Sequence, residues 1–524
     1  MTKRKDTKAK AFTCRGAAAL ITAALLTAAL LFTGCPQSPE NQTQNPSVPP
    51  GPDPNLRIED GVLKGYNETP SGALVIPAGV TEIAGEVFSD CTGLTQVDFS
   101  QCASLTKIGA GAFASCRGLM QLNLPASLEM LDSYAFYGCT KITGRVILPA
   151  NLKTIANYAF YSCEKVDAFD FSQCTRITKI GDSAFRYCTK ITTVKLPKSL
   201  TEIAGNAFLG CTELATLTVQ PGGDLIEEGG IIYNSGKTKL LCRVPKVVPA
   251  SFPGTLKEIV GGAFQGCIGL TQLNLPANLE TLGYSAFHDC REITGRVVLP
   301  ANLKTIGNDA FHGCSKVDAF DFSQCTRITK IGDSAFRHCS KITTVNLPKS
   351  LTEIAGNTFV GCTELETLTV QPGGDLIEES GIIYNSGKTK LLCSVPKVTS
   401  VSFPTGLKEI VGGAFQDCIG LTQLNLPVSL ETIGNDTFSN CTKITGTVVL
   451  PANLKTIGSF AFYGCNKVDA FDFSQCTQLT SIDRNAFSSC KEEAVYKVKT
   501  GSGIKTLLLD SHSGIKASQI TEVP

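Results

Sequence analysis

The sequence lacks tryptophan, has only three methionines and four histidines, and carries almost no net charge. Its 47 Lys+Arg residues balance 46 Asp+Glu residues, so no net field would gather nucleic acid or an acidic membrane surface. The chain also lacks the G-x-S-x-G nucleophile motif, the G-x-x-x-x-G-K-[ST] phosphate loop and any C-x-x-C pair. These absences argue against nucleic-acid binding and catalysis, and we predict no catalytic residue and no cofactor.

The one long apolar run lies at the N-terminus. Six basic residues among the first 15 precede an apolar stretch from Ala17 to Leu31, which predicts an export signal over residues 1–34. The stretch is too short to cross a hydrocarbon core of about 30 Å comfortably. The letters FTGC, ending at Cys35, resemble the lipobox of bacterial lipoproteins, with Phe where Leu is usual. That resemblance implies lipidation of Cys35, which would anchor the exported chain stably.

Residues 35–55 contain seven prolines and no apolar periodicity. Such a segment cannot pack into a core, and its proline content favours extended polyproline II at about 3 Å per residue. The composition therefore predicts a tether between the lipid anchor and a folded part that begins near residue 56.

One pattern recurs from Val80 onward: L-x-x-I-x-x-x-A-F-x-x-C-x-x-[LI]-x-x-[LV]-x-[LF]-P. Its copies follow at 23, 24 or 25 residues, apart from two gaps of 56 residues. A unit this short cannot enclose a core of its own, so each must be a coil that buries its apolar side chains by stacking on its neighbours. The F-x-x-C element begins at Phe88, Phe113, Phe136, Phe160, Phe185, Phe208, Phe264, Phe287, Phe311, Phe336, Phe359, Phe415, Phe438, Phe462 and Phe487.

Within a coil, L-x-x-L-x-L places apolar residues at alternate positions, which is the strand period. We therefore expect each coil to add one short strand there to a long parallel sheet. The I-x-x-x-A-F-x-x-C side is too short for a long helix and should form turns. The prediction is a β-rich solenoid, a superhelix of about 17 short coils, over residues 56–490.

The two long gaps hold nearly identical segments, and both predict a β-hairpin inserted on the turn side. In each, the apolar runs IIY and KLL flank N-S-G-K, near residues 225–244 and 376–395. The flanking coils repeat with an offset of 151 residues, which indicates that a whole block of coils was copied. The segments LRIEDGVLKGY from Leu56 and VYKVKTGSGIKTLLL from Val495 predict hairpin-like end caps, the second within a C-terminal cap at 491–524.

The repeat pattern resembles the BspA-like, or Treponema-type, leucine-rich repeat, and it covers about residues 56–490. The resemblance implies a right-handed solenoid of a bacterial surface protein. It also implies protein ligands, such as the host matrix proteins fibronectin or fibrinogen, or attachment to host cells or other bacteria. The chain lacks the Asn ladder that follows L-x-L in general leucine-rich repeats, so long convex helices are not expected.

The cysteines and histidines offer two further candidate chemistries. Cysteines of the F-x-x-C and F-S-Q-C elements would form either a buried ladder of thiols or disulfides between neighbouring coils. His288 and His312 follow Phe in successive coils and could stack on the surface. Because we find no Asp, Glu or Cys beside them at ligand spacing, the sequence predicts no metal site.

Two sets of side chains could form a binding surface. Small polar residues at outward strand positions form columns, which suit an extended partner; they are Gln121, Asn123, Thr193, Lys195, Gln272, Asn274, Thr344, Asn346, Gln423 and Asn425. Clustered tyrosines are favoured at interfaces, although these could instead pack on the turn side; they are Tyr134, Tyr137, Tyr158, Tyr161 and Tyr187.

These patterns together predict a non-enzymatic binding protein. We expect an exported chain, lipid-anchored at the outer membrane or cell surface, that contacts the membrane through its lipid alone. Its function would be that of an adhesin acting through the solenoid. The alternative is an inward-facing envelope scaffold with the same fold.

Overall fold

The repeat folds as one coil in which short strands alternate with turns. A computed structural model describes residues 55–524, which form a solenoid of such coils stacked in chain order. The Ile of L-x-x-I ends a short strand, and the A-F-x-x-C segment that follows forms turns. The L-x-L segment forms a second strand in some coils. The predicted β-rich solenoid is confirmed.

The strands fall into three consecutive blocks. The first block contains β1 (Leu56–Glu59), β2 (Val62–Tyr66), β3 (Gly72–Val75), β4 (Glu82–Ile83), β5 (Leu94–Asp98), β6 (Lys107–Ile108), β7 (Gln121–Leu122), β8 (Met130–Leu131), β9 (Gly144–Ile147), β10 (Thr154–Ile155), β11 (Val166–Asp170), β12 (Lys179–Ile180), β13 (Thr193–Leu196), β14 (Glu202–Ile203) and β15 (Thr216–Val219). The second contains β16 (Leu225–Glu228), β17 (Ile231–Asn234), β18 (Lys239–Arg243), β19 (Glu258–Ile259), β20 (Thr281–Leu282), β21 (Gly295–Val298), β22 (Thr305–Ile306), β23 (Val317–Asp321), β24 (Lys330–Ile331), β25 (Thr344–Leu347), β26 (Glu353–Ile354) and β27 (Thr367–Val370). The third contains β28 (Leu376–Glu379), β29 (Ile382–Asn385), β30 (Lys390–Ser394), β31 (Glu409–Ile410), β32 (Thr432–Ile433), β33 (Gly446–Val449), β34 (Thr456–Ile457), β35 (Val468–Asp472), β36 (Ser481–Ile482), β37 (Val495–Lys499), the helix α1 (Ile504–Asp510) and β38 (Ile520–Val523).

Each block has one long sheet that runs through the L-x-x-I residues, and we call these three the Ile sheets. Their strand orders are β1-β2-β4-β6-β8-β10-β12-β14, β16-β17-β18-β19-β20-β22-β24-β26 and β28-β29-β30-β31-β32-β34-β36. Equivalent residues of neighbouring coils pair in parallel, as Ile155 does with Ile180. Close approach explains the glycine after Ile, because a Cβ on Gly109 would lie 2.7 Å from the Ile83 carbonyl oxygen. The coils therefore align along their I-x-x-x-A-F side.

The L-x-L segments form only short sheets of two to four strands, such as β9-β11 and β13-β15, which we call the Leu sheets. The parallel sheet is confirmed, but the expectation that the L-x-L side carries the long one is wrong. The distance from Ile to Phe is five residues in coil after coil, whereas the return from Phe to the next Ile takes 18, 19 or 20. All the length variation therefore falls on the side of the coil that holds the L-x-L segments.

Both inserted hairpins are present, and each starts a new Ile sheet. β17 and β18 pair antiparallel around the N-S-G-K turn, and β16 adds a third antiparallel strand. β18 then pairs in parallel with β19, so Lys239 and Leu240 occupy the place of a coil's x-I pair. The insert near 376–395 repeats this arrangement with β28, β29 and β30.

The phenylalanines of F-x-x-C stack face to face through the core. Ring centroids lie 5.0–5.7 Å apart from Phe88 to Phe208, from Phe264 to Phe359 and from Phe415 to Phe487. The first two stacks end where a hairpin is inserted, and the third ends at the C-terminal cap. The stacking of fully buried rings gives every coil an apolar contact with both neighbours, which no coil could form alone.

The cysteine thiols line the core beside these rings. All 21 cysteines within residues 55–524 are free, and Cys490 alone among them is not fully buried. In twelve F-x-x-C elements the thiol donates to the carbonyl oxygen of the Phe one coil earlier, as Cys139 does to Phe113 over 3.1 Å. The F-S-Q-C thiols likewise donate to carbonyls of the preceding coil. The predicted ladder of buried thiols is confirmed.

The two ends of the solenoid are closed differently. At the N-terminal end β1 and β2 form the predicted hairpin, and the Tyr66 ring stacks 6.0 Å from Phe88. The hairpin predicted around Gly501 is wrong, because the chain after β37 forms α1 and then returns as β38, parallel to β37. Ile504 and Leu508 are four residues apart and both buried, which is a helical spacing rather than a strand spacing.

Helical structure is scarce in this part of the chain. Besides α1, residues 55–524 contain only the 3₁₀ turn Ala517–Gln519, as expected from the missing Asn ladder. None of the described helices has the length and apolarity needed to cross a bilayer. The export signal at 1–34, the lipidation site Cys35 and nearly all of the tether at 35–55 lie outside the described residues.

Candidate functional site

The five tyrosines come together on the turn side, and we call them the tyrosine ridge. Tyr134 and Tyr158 stack with ring centroids 4.9 Å apart, and Tyr137 and Tyr161 stack at 4.8 Å. Tyr187 meets Tyr161 edge to face at 5.4 Å. The predicted cluster is therefore a single connected set of rings that extends over three successive coils.

Left-handed backbone turns point the ridge outward. Tyr134, Tyr158 and Tyr187 have φ of 62°, 59° and 61°, a conformation that is uncommon for residues other than glycine. Backbone hydrogen bonds to the next coil fix these turns: Tyr134 N donates to the Asn157 carbonyl over 2.9 Å, and Tyr187 N donates to the Leu209 carbonyl over 2.9 Å. Tyr134 remains 44% exposed and Tyr187 36%, so the ridge presents aromatic surface that is held rigidly.

Charged groups border the far end of the ridge. The Arg186 guanidinium lies 5.0 Å from the centre of the Tyr187 ring and donates to its hydroxyl over 3.1 Å. The Tyr284 hydroxyl donates to Asp182 over 2.6 Å, which joins the next block to this surface. Burial and the neighbouring Asp182 raise the pKa of Tyr158. The ridge thus combines apolar ring faces with hydrogen-bonding groups, as protein interfaces do.

The predicted polar columns are exposed at all ten positions but do not form one continuous surface. Thr193, Lys195, Thr344 and Asn346 lie on the four-residue strands β13 and β25. Of the remaining six residues, only Gln121 lies in a strand. The other five lie at positions of the L-x-L segments that do not pair with a neighbouring coil. The structure therefore places the columns as separate patches.

One of these patches borders a groove that sequence reasoning missed. The groove has a volume of about 510 Å³ and is lined by Thr193 and Lys195 together with Arg145 and Asp170. Arg145 and Asp170 form an ion pair at 3.0 Å, and Ile147 is 50% exposed on the same strand as Arg145.

The opposite face, on the Ile sheets, offers less to a ligand. Its lysines and glutamates pair with each other between coils, as Glu431 does with Lys408 at 3.2 Å and with Lys455 at 2.6 Å. Charges that are already paired in this way contribute little further attraction to an approaching partner.

His288 and His312 lie on the turn side of the second block, and the carboxylate of Asp309 lies beside them. The rings of His288 and His312 lie with centroids 4.6 Å apart at an angle of 31°, and Asp309 Oδ1 lies 3.0 Å from His312 Nδ1. The expectation that no acidic residue lies near these histidines at a distance suited to a shared metal ion is therefore wrong, because one turn brings Asp309 and His312 together. Burial lowers the pKa of His288.

The offset of 151 residues shows that the ridge and the histidines occupy the same places in two copies of one block. The ridge positions correspond in the second block to Ser285, His288, Asp309, His312 and His338, and in the third to Asp436, Ser439, Phe460, Tyr463 and Ser489. The same turns therefore carry three different sets of side chains. Because the fold accepts all three, the tyrosines are not required for packing.

Comparisons with known proteins agree with this architecture. A family model described as "BspA type Leucine rich repeat region (6 copies)" matches residues 65–178, 106–234, 246–366 and 388–514. A leucine-rich cell surface protein from Faecalibacterium prausnitzii is similar in structure with a TM-score of 0.50 and 22% identity, over 61% of this chain and 94% of that one. A leucine-rich repeat protein from Bacteroides ovatus has 21% identity and a TM-score of 0.31, over 90% of this chain and 97% of that one. No curated protein shows significant similarity to the chain.

Proposed function

Because the chain belongs to the BspA-type leucine-rich repeat family, we propose that it is a non-enzymatic cell-surface adhesin that holds large protein ligands. The ligands would be host matrix proteins such as fibronectin or fibrinogen, or proteins on other bacteria. A similar structure carries the description of a cell surface protein, which supports this location.

The tyrosine ridge is the observation that carries the proposal. Tyrosine supplies a large contact area at low cost in side-chain entropy, and residues of this type dominate binding energy at interfaces. The rings are locked against one another before any ligand arrives, so little further ordering would oppose binding. Ser285, which replaces Tyr134 in the second block, shows that the turn does not need the ring.

The Leu-sheet groove provides a second contact region for the same class of ligand. The ion pair and the polar Thr193 line an open groove rather than an enclosed pocket, and the exposed Ile147 lies on the strand that carries Arg145. An extended polypeptide fits such a surface better than a small molecule does, because small ligands are usually bound in cavities that enclose most of their surface.

The N-terminal sequence supports attachment to the envelope. A basic segment, an apolar run and the FTGC letters at Cys35 are what an exported lipoprotein requires. In this proposal the acyl chains on Cys35 hold the protein in the membrane, and the proline-rich segment links them to the solenoid.

Adhesion assays with cells that carry substituted chains test the proposal. The variant Tyr134→Ser, Tyr137→Ser, Tyr187→Ser places at each position a residue that another block carries there. We expect cells with this variant to adhere to immobilised matrix proteins and to partner bacteria as weakly as cells without the protein. The matched control Tyr463→Ser, at the repeat position of Tyr161, should adhere like the parent.

Protease treatment of intact cells separates the adhesin from the inward-facing scaffold. An outward solenoid releases peptides from residues 55–524, whereas an inward one stays uncut until the cells are broken. Adhesion of the triple variant at the parental level, or a protein that is protected in intact cells, would rule out the proposed function.

A further inference from the structure

We propose that His288, Asp309 and His312 form a binding site for a divalent transition-metal ion, with zinc as the expected ion. Each side chain offers one atom as a metal ligand, and these three atoms lie within 4.8 Å of one another. The side chains come from two successive coils on the turn side of the second block, and adhesion through the tyrosine ridge does not depend on them.

The separations fit a metal centre. With metal–ligand bonds of about 2.0–2.2 Å, two ligands of one tetrahedral zinc ion lie about 3.3 Å apart. Asp309 Oδ1 and His312 Nδ1 already stand 3.0 Å apart. A ligand nitrogen of His288 lies within 4.8 Å of both of these atoms, and the two histidine ring centroids are 4.6 Å apart.

A buried nitrogen of His288 is available to a metal ion, because it makes no hydrogen bond. Within residues 55–524, His288 Nδ1 is one of three buried side-chain polar atoms that make no hydrogen bond. The Asp289 carboxylate stands 3.5 Å from it without forming one. A buried polar atom is costly when it is unpaired, and coordination to a metal ion removes that cost.

The turns hold the three side chains on a fixed frame. Asp309 has φ of 54°, and His312 N donates back to the Asp309 carbonyl over 3.1 Å. Asp289 N donates to the His312 carbonyl over 2.7 Å, which links the two coils beside the site. Ligands on a rigid frame lose little freedom when an ion binds.

The donor set selects the class of ion. Two imidazoles and one carboxylate suit zinc and its neighbours in the transition series, whereas calcium and magnesium prefer oxygen ligands alone. Asp289 and Asp309 contribute negative charge at the site, and Arg186 from the first block opposes it. Three protein ligands leave a fourth coordination position of the ion to another group. A third imidazole, His338, is nearby, with its ring 5.4 Å from that of His312.

The block copies show that packing does not impose this set. The first block has Tyr137, Tyr158 and Tyr161 at the three positions, and the third has Ser439, Phe460 and Tyr463. The combination of His, Asp and His therefore belongs to the second block alone. It also supplies a substitution that the fold tolerates, since tyrosine occupies all three places at once in the first block.

Titration of the purified full-length chain with ZnCl₂, after removal of bound metal by a chelator, tests the site. We expect one ion per chain by calorimetry. CoCl₂ should give visible d–d absorption without the near-ultraviolet band of thiolate ligation, because the cysteines are buried elsewhere in the core.

The variant His288→Tyr, Asp309→Tyr, His312→Tyr should bind zinc at least about 100-fold more weakly. Even the loss of a residue that only hydrogen-bonds to a metal ligand lowers the metal affinity about 10- to 100-fold. An unchanged circular dichroism spectrum would confirm that it folds. The control His512→Ala removes the fourth histidine and should keep the parental affinity. Unchanged zinc affinity in the triple variant, no saturable binding by the parent, or a thiolate band with cobalt would each overturn the proposal.

Discussion

At the scale of single residues, the cysteines act as hydrogen-bond donors between coils. Cys139 is fully buried, and its thiol reaches back to the carbonyl of Phe113 in the preceding coil. A serine would bring a more strongly hydrated group into the core, and alanine would supply no donor. Cysteine therefore combines apolar packing with a weak directional bond, and neither purpose needs a disulfide.

We expect Cys139→Ala to lower the free energy of unfolding by about 1–2 kcal/mol, because it removes one hydrogen bond and leaves a small void. Urea titration at pH 7 with reductant present measures the change. Cys490→Ala is the matched control at the last coil, where the thiol is less buried, and its effect should be smaller. Equal losses in the two variants would contradict this account of the ladder.

Burial of these residues could be predicted from the sequence, but their partners could not. The repeated F-x-x-C pattern places each thiol beside an apolar ring, which indicates the core. The carbonyl that accepts the bond lies 26 residues earlier for Cys139, and its direction depends on how two coils stack. Asp309 was missed for a different reason: it lies only three residues before His312, and the turn between them brings the two side chains together.

At the scale of elements, the first hairpin insert holds a buried arginine where the second holds a serine. The Arg243 guanidinium lies 5.3 Å from the centre of the Phe264 ring, at the start of a new ring stack. Its Nε donates to the Ala263 carbonyl over 3.2 Å, and its Nη1 donates to the Val244 and Val247 carbonyls over 3.1 and 3.2 Å. In the third block, Ser394 donates to the equivalent Ala414 carbonyl over 2.7 Å.

Arg243→Ser should therefore change the free energy of unfolding by less than about 1 kcal/mol, since serine keeps the bond to the Ala263 carbonyl as Ser394 does. Arg243→Ala should cost about 1.5–3 kcal/mol, the range for losing hydrogen bonds to a charged group. Thermal unfolding of the two variants side by side measures the difference. A serine variant as unstable as the alanine variant would refute the equivalence of the two inserts.

The C-terminal helix offers a second test at this scale. Leu508 is fully buried, whereas its neighbour Leu509 is 43% exposed. Leu508→Ala should cost about 2–5 kcal/mol locally, as other buried leucines do, and open the last coil. We expect rapid proteolysis within residues 491–524 of this variant, detected by mass spectrometry. Leu509→Ala should be cut at the parental rate, and comparable cutting of both would show that α1 is not a cap.

Elements with a strong local signal were predicted correctly. The IIY and KLL runs around N-S-G-K contain both strands and the turn of each insert, so β17 and β18 follow from local sequence. The chain after Gly501 was predicted wrongly, because a short apolar run fits either a strand or one helical turn. The helix is favoured because it buries Ile504 and Leu508 while α1 packs against β36 and β37. The local sequence does not reveal this packing.

At the scale of the whole solenoid, the buried thiols make stability depend on pH. Burial raises the pKa of Cys211, Cys362 and Cys418 to about 12, against about 8.5 for a thiol in an unfolded chain. The unfolded state therefore loses its thiol protons first as the pH rises. The stabilisation is fully present below about pH 8.5 and is lost as the pH climbs from there toward 12.

We expect the urea midpoint at 25 °C, with reductant, to be flat from pH 7 to about 8 and to fall steeply above about pH 9. Each buried thiol contributes about 1.4 kcal/mol per pH unit in that window, and many contribute together. Replacement of three ladder cysteines by alanine, such as Cys139, Cys163 and Cys188, should make the fall less steep. A midpoint that stays constant to pH 10 would show that the thiols ionise without unfolding.

The division into three blocks could be anticipated in part. The offset of 151 residues and the two inserts were evident from the sequence. The interruption of both the Ile sheet and the ring stack at each insert was not evident. The sequence does not reveal which strand of the insert pairs with the next coil. The surfaces that result are carried by separate blocks on one continuous backbone.

The left-handed turns between neighbouring coils carry a consequence for how such a molecule can change over generations. Their backbone bonds hold the loop with any of the three sets of side chains, so the exposed residues of one copied block can change without unfolding the coils beside it. Duplication of a block therefore adds a surface whose composition is free to diverge from that of its neighbours.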